Sequence, residues 1–192
     1  IDIASVESLI TSRTKAVMHV SLNGRSNDIL ALRELCQRRG IALIEDSCQS
    51  LGSFHGDQHL GTMGDIGVLS FSPPKIITTG QGGALLTNND DLALGIKKLK
   101  DFGRASGGHD VHDQIGFNFK FTDFQGTVGN EQMKKLPSRI ARKKDIWRRY
   151  QEQLLGLQEI NWLDTDLDRV SPWFIDIYTE RRDELAAHLK EN

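Results

Sequence analysis

The sequence is poor in cysteine and lacks both long apolar runs and an excess of positive charge. Its two cysteines, Cys36 and Cys48, cannot form a disulfide framework, and neither they nor the six histidines show the spacing of metal ligands. No apolar run approaches the length of a membrane span, and the first ten residues lack the basic and apolar segments of a signal peptide. We therefore expect reduced, buried thiols in a cytoplasmic protein without a metal site.

The charge balance gives no support to nucleic acid or a membrane surface as a partner. Lys and Arg number 24 against 26 Asp and Glu, a formal net charge of −2, so there is no overall cationic field. The basic run RIARKKDIWRR at 139–149 is interleaved with Ile140, Ile146 and Trp147, which predicts an amphipathic helix whose basic side chains are solvated. The sequence also has no Walker loop and no GxGxxG motif opening a helix.

The first half of the chain alternates between predicted strands and helices. Short apolar runs at 15–21 and 41–46 flank a segment with helical spacing, which Ser26 or Asn27 can cap and Gly40 can end. The same alternation continues with runs at 66–72 and 83–88 and an amphipathic stretch at 90–103. This order predicts an α/β fold with a mostly parallel sheet, whose ligands bind beyond the carboxyl ends of the strands.

The second half predicts a loop at 104–121, a helical stretch at 121–158 broken near Pro137, a loop at 158–170, and then one strand and one helix. We expect three parts: a core at 1–136, a connecting helix at 137–157 and the start of a small domain at 158–192. The chain begins at Ile1 rather than Met and ends directly after a helix-like stretch. We therefore expect it to be the middle of a longer protein.

Two polar residues follow the predicted second strand. Asp46 ends the run IALIED, where a carboxylate would lie at the ligand-binding edge of the sheet, and Gln49 lies three residues further on. An anion and an amide together suit a cationic ring nitrogen and a neighbouring hydroxyl. A helix cap or a solvated turn explains Asp46 equally well.

Lys75 lies in an unusual segment, SFSPPKIITTGQGG at 70–83. The prolines before it and the Gly-rich turn after it would fix the backbone near the sheet edge, as a nucleophilic lysine requires. Burial and a covalent imine with a carbonyl cofactor would let its amine act at neutral pH. The alternative is a surface lysine that keeps its charge in water. Ser70, at the end of the predicted strand, is either a phosphate anchor or a plain strand-end serine.

Three segments, in this order and spacing, resemble a known family: IEDSCQSLGS at 44–53, GDIGVLSFSPPKIITTGQGGALLTN at 64–88 and IGFNFKFTDFQGTVGNEQMKKL at 115–136. On these segments the chain resembles the pyridoxal-phosphate-dependent nucleotide-sugar aminotransferases of the DegT/StrS type. The resemblance extends to nearly the whole chain. It implies part of the fold type I large domain, a three-layer α/β structure, followed by the start of a small α+β domain.

The resemblance implies a role for each matching residue. Lys75 would form the internal aldimine with pyridoxal phosphate and then shuttle the proton between cofactor and substrate. Asp46 would pair with the protonated ring nitrogen, and Gln49 would lie against the ring hydroxyl. Ser70 would anchor the phosphate, and Asn118, in GFNFK, would reach the phosphate bound by a neighbouring subunit.

Three positions depart from the family pattern. Ser21 stands where the family often has His, Gln81 replaces Glu in the T-G-E-G-G motif, and Lys120 replaces the Arg of G-Y-N-Y-R. Lys120 cannot reproduce the bidentate hydrogen bonds of arginine. Family members are also longer, and their N-terminal portion carries a Gly-Thr phosphate-binding turn and an aromatic residue that stacks on the ring.

The implied function is transfer of an amino group from an amino acid, expected to be glutamate, to a nucleotide-linked keto-deoxy sugar. The branch that makes perosamine, a deoxyamino sugar of lipopolysaccharides, is the most similar. A homodimer with shared active sites is expected.

Three alternatives remain open at this point. The first is a truncated chain that folds or dimerises without turnover. The second is the dehydratase branch of the family, in which His replaces the cofactor lysine; Lys75 argues against it. The third is a plain nucleotide-binding α/β domain.

Overall fold

A computed structural model describes residues 1–104 and 106–192. Along the chain the elements are α1 (Ile3–Leu9), β1 (Ala16–Val20), α2 (Ile29–Arg39), β2 (Ala42–Asp46), β3 (Phe54–His55), β4 (Gln58–His59), β5 (Ile66–Ser70), β6 (Gly83–Leu86), α3 (Asp90–Lys100), α4 (Asp123–Lys134), α5 (Leu136–Gln153), β7 (Asn161–Trp162), β8 (Ile177–Tyr178) and α6 (Arg182–Glu191). Within the described ranges, no helix combines the length and the apolar character that crossing a membrane requires.

A four-stranded mixed sheet forms the centre of the molecule and confirms the predicted α/β fold. Its strand order is β1-β2-β5-β6, in which β1, β2 and β5 are parallel and β6 is antiparallel to β5. Because β1, β2 and β5 run in one direction, their carboxyl ends lie at the same edge of the sheet. The residues after these three strands are therefore brought together.

Helix α2 builds the hydrophobic core against β2. Its first turn is capped by Asp28, whose Oδ1 accepts a hydrogen bond from the Ala31 N–H at 3.2 Å, so the prediction of a cap at Ser26 or Asn27 is wrong. Gly40 ends the helix with a φ of 64°, as predicted. The side chains buried between α2, β2 and the following loop are Ile29, Leu32, Leu35, Cys36, Leu43, Leu60 and Met63. This packing holds β2, and with it the residues at its carboxyl end, in place.

A buried carboxylate fixes the loop that leads into β5. Glu45 is fully buried, and its oxygens accept hydrogen bonds from the backbone N–H groups of Gly61 at 2.8 Å, Met63 at 2.6 Å and Gly64 at 2.5 Å. The same loop packs so closely on β5 that a Cβ at Gly67 would lie 1.8 Å from the Gly61 carbonyl oxygen. Three charge-assisted hydrogen bonds therefore set the position of β5 relative to β2.

The predicted helical stretch divides into α4 and α5 at Lys135, and Pro137 lies in the first turn of α5 rather than at the break. Trp147 is buried, as the amphipathic interpretation predicts, and Arg148 and Arg149 are exposed. The expectation that all the basic side chains of this helix are solvated is wrong for two of them. Arg139 donates to the carbonyl of Ile76 at 2.9 Å, and Lys143 donates to the carbonyl of Trp173 at 2.7 Å.

The last segment contains the predicted strand and helix, β8 and α6, and β8 pairs antiparallel with β7. Strand β7 lies inside the predicted loop at 158–170, which is therefore not entirely irregular. The division into parts at 1–136, 137–157 and 158–192 stays a prediction.

Candidate active site

Three polar residues lie at the carboxyl edge of the sheet, each after or at the end of a parallel strand. Asp46 ends β2, Ser70 ends β5, and Ser21 follows β1 and donates its backbone N–H to the carbonyl of Asp46 at 3.0 Å. The consecutive residues Glu45 and Asp46 point to opposite faces of the sheet, because side chains alternate along a strand. Glu45 is enclosed by the loop before β5, so Asp46 is the carboxylate that faces the other side.

Lys75 lies in a loop from Phe71 to Thr79 that folds back on itself. The N–H of Thr79 and the hydroxyl of Thr78 both donate to the Phe71 carbonyl at 3.0 Å, and the N–H of Lys75 donates to the Ser72 carbonyl at 3.1 Å. The two prolines before Lys75 restrict the backbone further. Side chains from elsewhere also hold this loop: Arg139 of α5 binds one of its carbonyls, and the indole N–H of Trp173 donates to another at 3.1 Å.

A narrow cavity beside this loop, with a volume of about 10 Å³, brings together three of the predicted site residues. Gln49, Ser70 and Lys75 line it, together with Cys48, Ser171 and Trp173. The Lys75 ammonium lies 3.7 Å from the centroid of the Trp173 ring, within the range of a cation–π interaction. The Ser70 hydroxyl lies 3.1 Å from the hydroxyl of Ser72. An amine, an amide and several hydroxyls thus converge at the edge of the sheet where ligands of α/β proteins bind.

The charges of Asp46 and Lys75 both influence the pKa of one thiol, that of Cys48. Burial raises the pKa of the Cys48 thiol to about 12, with a further upward contribution from a hydrogen bond to Asp46 and from its charge, whereas the charge of Lys75 opposes the rise. Asp46 also accepts a hydrogen bond from the Cys48 N–H at 3.1 Å. Cys48 thus binds the Asp46 carboxylate through its N–H and lines the same cavity as Lys75, and its own thiol is protonated and unreactive.

The orientation of the Gln49 amide is fixed by a backbone group. The N–H of Asn23 donates to Gln49 Oε1 at 3.0 Å, and Asn23 itself has a φ of 51°. Because a backbone N–H can only donate, it selects the oxygen of the amide, which leaves the Gln49 NH₂ group for a partner in the cavity. Gln49 is thereby presented to a ligand as a hydrogen-bond donor.

Asp176 holds Asn23 and its neighbour Arg25 from the C-terminal segment. Its Oδ2 accepts hydrogen bonds from Asn23 Nδ2 at 2.8 Å and from Arg25 Nη2, and its Oδ1 accepts one from Arg25 Nη1 at 3.1 Å. Burial alone would raise the pKa of Asp176, but the hydrogen bonds from Arg25 and Asn23 outweigh it and hold the pKa below its usual value. The turn after β1, and through it Gln49, is therefore tied to the segment before β8.

The Asp176 network should make stability depend on pH in the acid range. Since the folded-state pKa of Asp176 is lowered, its contribution is present above the unfolded pKa of about 3.9 and is lost as the pH falls through the folded value. At neutral pH, Asp176→Asn is expected to lower the free energy of unfolding by about 1–2 kcal/mol. In urea titrations the difference in free energy of unfolding between the natural protein and the variant should narrow as the pH falls below about 3.9; an equal difference at pH 7 and at the lowest pH at which both fold would contradict this assignment.

Asn118 is not brought into this cavity. It is exposed and pairs with Asp101 in a short antiparallel bridge beside the C-terminal end of α3. Lys120, two residues on, lies 3.2 Å from the Asp101 carboxylate and over the ring of Phe102. The predicted role of Asn118 at a neighbouring subunit's phosphate therefore stays a prediction.

The sequence analysis missed three residues of the site: Asn23, Ser171 and Trp173. The proline of the Ser-Pro-Trp triplet at 171–173 was the available signal, because a proline argues against a central strand at this point. Of the positions that depart from the family pattern, Ser21 is fully buried, and Gln81 is exposed with its carbonyl accepting from the side chain of Gln125 at 2.8 Å.

The model of the DegT/DnrJ/EryC1/StrS aminotransferase family matches residues 1–192. GDP-perosamine synthase of Escherichia coli O157:H7 is 33% identical over 192 residues, which are 98% of this chain and 52% of that enzyme. The dTDP-3-amino-3,4,6-trideoxy-alpha-D-glucose transaminase of Micromonospora megalomicea subsp. nigra is 32% identical over 97% of this chain and 51% of its own length.

A solved structure is similar to this chain over the same share of its length. The crystal structure of S. venezuelae DesV in complex with a ketimine intermediate superposes with a TM-score of 0.88 at 32% identity, over 100% of this chain and 52% of DesV. The chain thus spans about half the length of the relatives it matches.

Proposed function

The chain belongs to the DegT/DnrJ/EryC1/StrS aminotransferase family, and on that premise we propose that the protein transfers an amino group from glutamate to a nucleotide-linked keto-deoxy sugar. The family match also confirms pyridoxal phosphate as the expected cofactor. The observation that carries the proposal is the cavity that Lys75, Gln49 and Ser70 line together, with Asp46 bound to the N–H of Cys48, another residue of its lining.

The residues around the cavity fit this cofactor. Pyridoxal phosphate, when bound, supplies an aldehyde carbon that takes up an amine and a ring that takes up an electron pair. Lys75 offers the amine, Asp46 an anion for a protonated ring nitrogen, and Gln49 an NH₂ group for the ring oxygen. Ser70 offers a hydroxyl for the phosphate. Ser171 adds a hydroxyl that is buried and, within the described residues, has no hydrogen-bond partner.

Each of these residues has a defined task in the proposed reaction. Lys75 would hold the cofactor aldehyde carbon through its amine, with loss of water, and, once the amino group of the substrate had displaced it, would carry a proton from one reacting carbon to another. Asp46 keeps the proton on the ring nitrogen, which makes the ring a better electron acceptor. Gln49, held by Asn23, orients the ring by donating to its oxygen. The loop around Lys75 is held by Arg139 and by the Trp173 indole, which fixes the amine near its target.

The nucleotide-sugar substrate is proposed from the relatives. The names of the enzymes from Escherichia coli and Micromonospora describe amination of a GDP-linked and a dTDP-linked deoxy sugar, respectively. The perosamine-synthase branch is the proposed one for this protein. Its location is proposed to be the cytoplasm, where its two free cysteines would remain reduced.

A homodimer is part of the proposal. The loop and helix start around Asn118 expose an unusual number of large apolar side chains, namely Val111, Ile115, Phe117, Phe119, Phe121 and Phe124. Exposed apolar patches of this kind mark protein interfaces. A second copy of the chain covering this patch would bring Asn118 to the neighbouring cofactor phosphate.

The proposal is tested by adding pyridoxal phosphate and then borohydride to the full-length protein. We expect a yellow protein that keeps its colour on dialysis, a reduced adduct mapped to the peptide containing Lys75, and sedimentation as a dimer. With glutamate and a GDP-linked keto-deoxy sugar, the amino sugar should form. A colourless, monomeric protein that yields no adduct would instead support a chain that folds without turnover.

A further inference from the structure

We propose that Trp173, together with Ser171, forms the platform on which the acceptor sugar rests, and so determines which sugars are aminated. This inference rests on the proposed function, because it assigns a subsite to the same reaction. Both residues belong to the segment between α5 and β8.

The ring of Trp173 lies against the amine nitrogen of Lys75, the atom at which the proposed chemistry would occur. The centroid of its ring is 3.7 Å from Lys75 Nζ. Its indole N–H binds the Pro74 carbonyl at 3.1 Å, and its own carbonyl accepts from Lys143 at 2.7 Å. The ring is therefore held both by the loop that carries Lys75 and by α5.

The face of this indole suits a sugar. An aromatic face carries negative potential, which is why it attracts the Lys75 ammonium, and the same potential attracts the C–H groups on the apolar face of a sugar ring. A deoxy sugar presents more such surface than a fully hydroxylated one. When the Lys75 amine is bound to the cofactor, its charge no longer lies over the Trp173 ring, and this face of the ring is free to contact a sugar.

Ser171 gives an independent indication of a polar ligand at the same place. Its side chain is 3% exposed and lines the cavity, and its backbone N–H is fixed to the Ser53 hydroxyl at 2.9 Å. Its own hydroxyl oxygen has no hydrogen-bond partner among the described residues. Buried hydroxyls are ordinarily paired, so this group is expected to bind an oxygen of a ligand.

The geometry of the reaction joins these two observations. The sugar carbon that receives the amino group must come within reach of the Lys75 amine, which lies against Trp173 and in the same cavity as Ser171. A sugar in that position would contact the indole on one side and the Ser171 hydroxyl at its edge, and it requires Lys75 to move off the indole, because the cavity has a volume of only about 10 Å³. The contribution of the nucleotide is measured separately with the bare nucleotide.

The test compares affinities for a sugar nucleotide and for the bare nucleotide, using full-length protein in which borohydride has fixed pyridoxal phosphate to Lys75, so that the amine is held away from Trp173 and no turnover occurs. Calorimetry with GDP-perosamine and GDP, and with dTDP-3-amino-3,4,6-trideoxyglucose and dTDP, gives the contribution of the sugar as the ratio of the two dissociation constants in each pair. Trp173→Leu is expected to weaken binding of the sugar nucleotide about 10-fold and to leave the bare nucleotide within about 2-fold.

Two further variants separate the outcomes. Ser171→Ala, which removes only a hydroxyl, is expected to weaken the sugar nucleotide about 5-fold. Trp162→Leu, on the distant ring pair of Trp147 and Trp162, should change neither affinity. The proposed platform would be overturned if a variant lost equal affinity for the sugar nucleotide and the bare nucleotide. It would also be overturned if neither Trp173→Leu nor Ser171→Ala lost affinity for the sugar nucleotide. If the natural protein bound neither sugar nucleotide, the proposed function itself would fail, and the platform with it.

Discussion

Replacing Lys75 with alanine is expected to lower the rate of transamination by at least about 10³-fold while leaving the fold intact. The variant loses the group proposed to bind the cofactor aldehyde and to move the proton, and proton transfer alone accounts for about 10²–10⁴-fold. Lys75 is only half-buried, and its described side-chain contact is the face of Trp173, worth about 0.5–1 kcal/mol. Turnover with glutamate and the sugar nucleotide gives the rate, and urea titration gives the stability.

A matched lysine and a chemical rescue make this result specific. Lys134→Ala removes an exposed lysine of α4 that pairs with Glu131, and it should keep full activity. Methylamine added to the Lys75→Ala variant should restore part of the rate, because a small amine can enter the space left by the side chain. Full activity of Lys75→Ala would show that another group moves the proton and would overturn the site assignment.

Replacing Glu45 with alanine is expected to destabilise the protein by about 2–4 kcal/mol. The change leaves the N–H groups of Gly61, Met63 and Gly64 without their acceptor inside the protein. Each buried donor left unpaired costs about 1–3 kcal/mol, although water entering the gap would recover part of this. The free energy of unfolding from urea titration at neutral pH measures the loss.

Glu45→Gln provides an intermediate case, since the amide keeps one accepting oxygen and removes the charge. It should lose about half as much stability as the alanine variant. Glu34→Ala, on the exposed face of α2, should stay within about 0.5 kcal/mol of the natural protein. A loss below about 1 kcal/mol for Glu45→Ala would mean that the loop before β5 is held by other contacts.

The strands and the long helices could be predicted because their signals are local. The run at 41–46 becomes β2, in which Leu43 and Glu45 are buried on alternate positions, and Gly40 ends α2 as its sequence suggests. The antiparallel direction of β6 could not be predicted, since a run such as GALL has the same pattern in either orientation. Helix α1 has no fully buried residue and only seven positions, too few for its period to stand out.

The site follows the same rule. The sequence singles out Lys75 because prolines and glycines flank it within a few positions, and Asp46 because it ends a strand, and their roles in the site stay predictions. Trp173 could not be assigned to it, because their contact depends on a chain reversal about a hundred positions long. The role of Asn23 depends on a φ of 51°, which its neighbours in the sequence do not reveal.

The hydrogen bonds of Asp176 have a consequence for how the molecule is made. They join partners separated by 151 and 153 positions, and the bond from Trp173 to Pro74 spans 99. Contacts of such long range form after local ones, because a large loop must close first. On a translating ribosome, the sheet can assemble before residues 171–176 emerge from the exit tunnel. The cavity acquires the wall formed by Ser171 and Trp173 only after these residues emerge, so the sheet is structured before the site is complete.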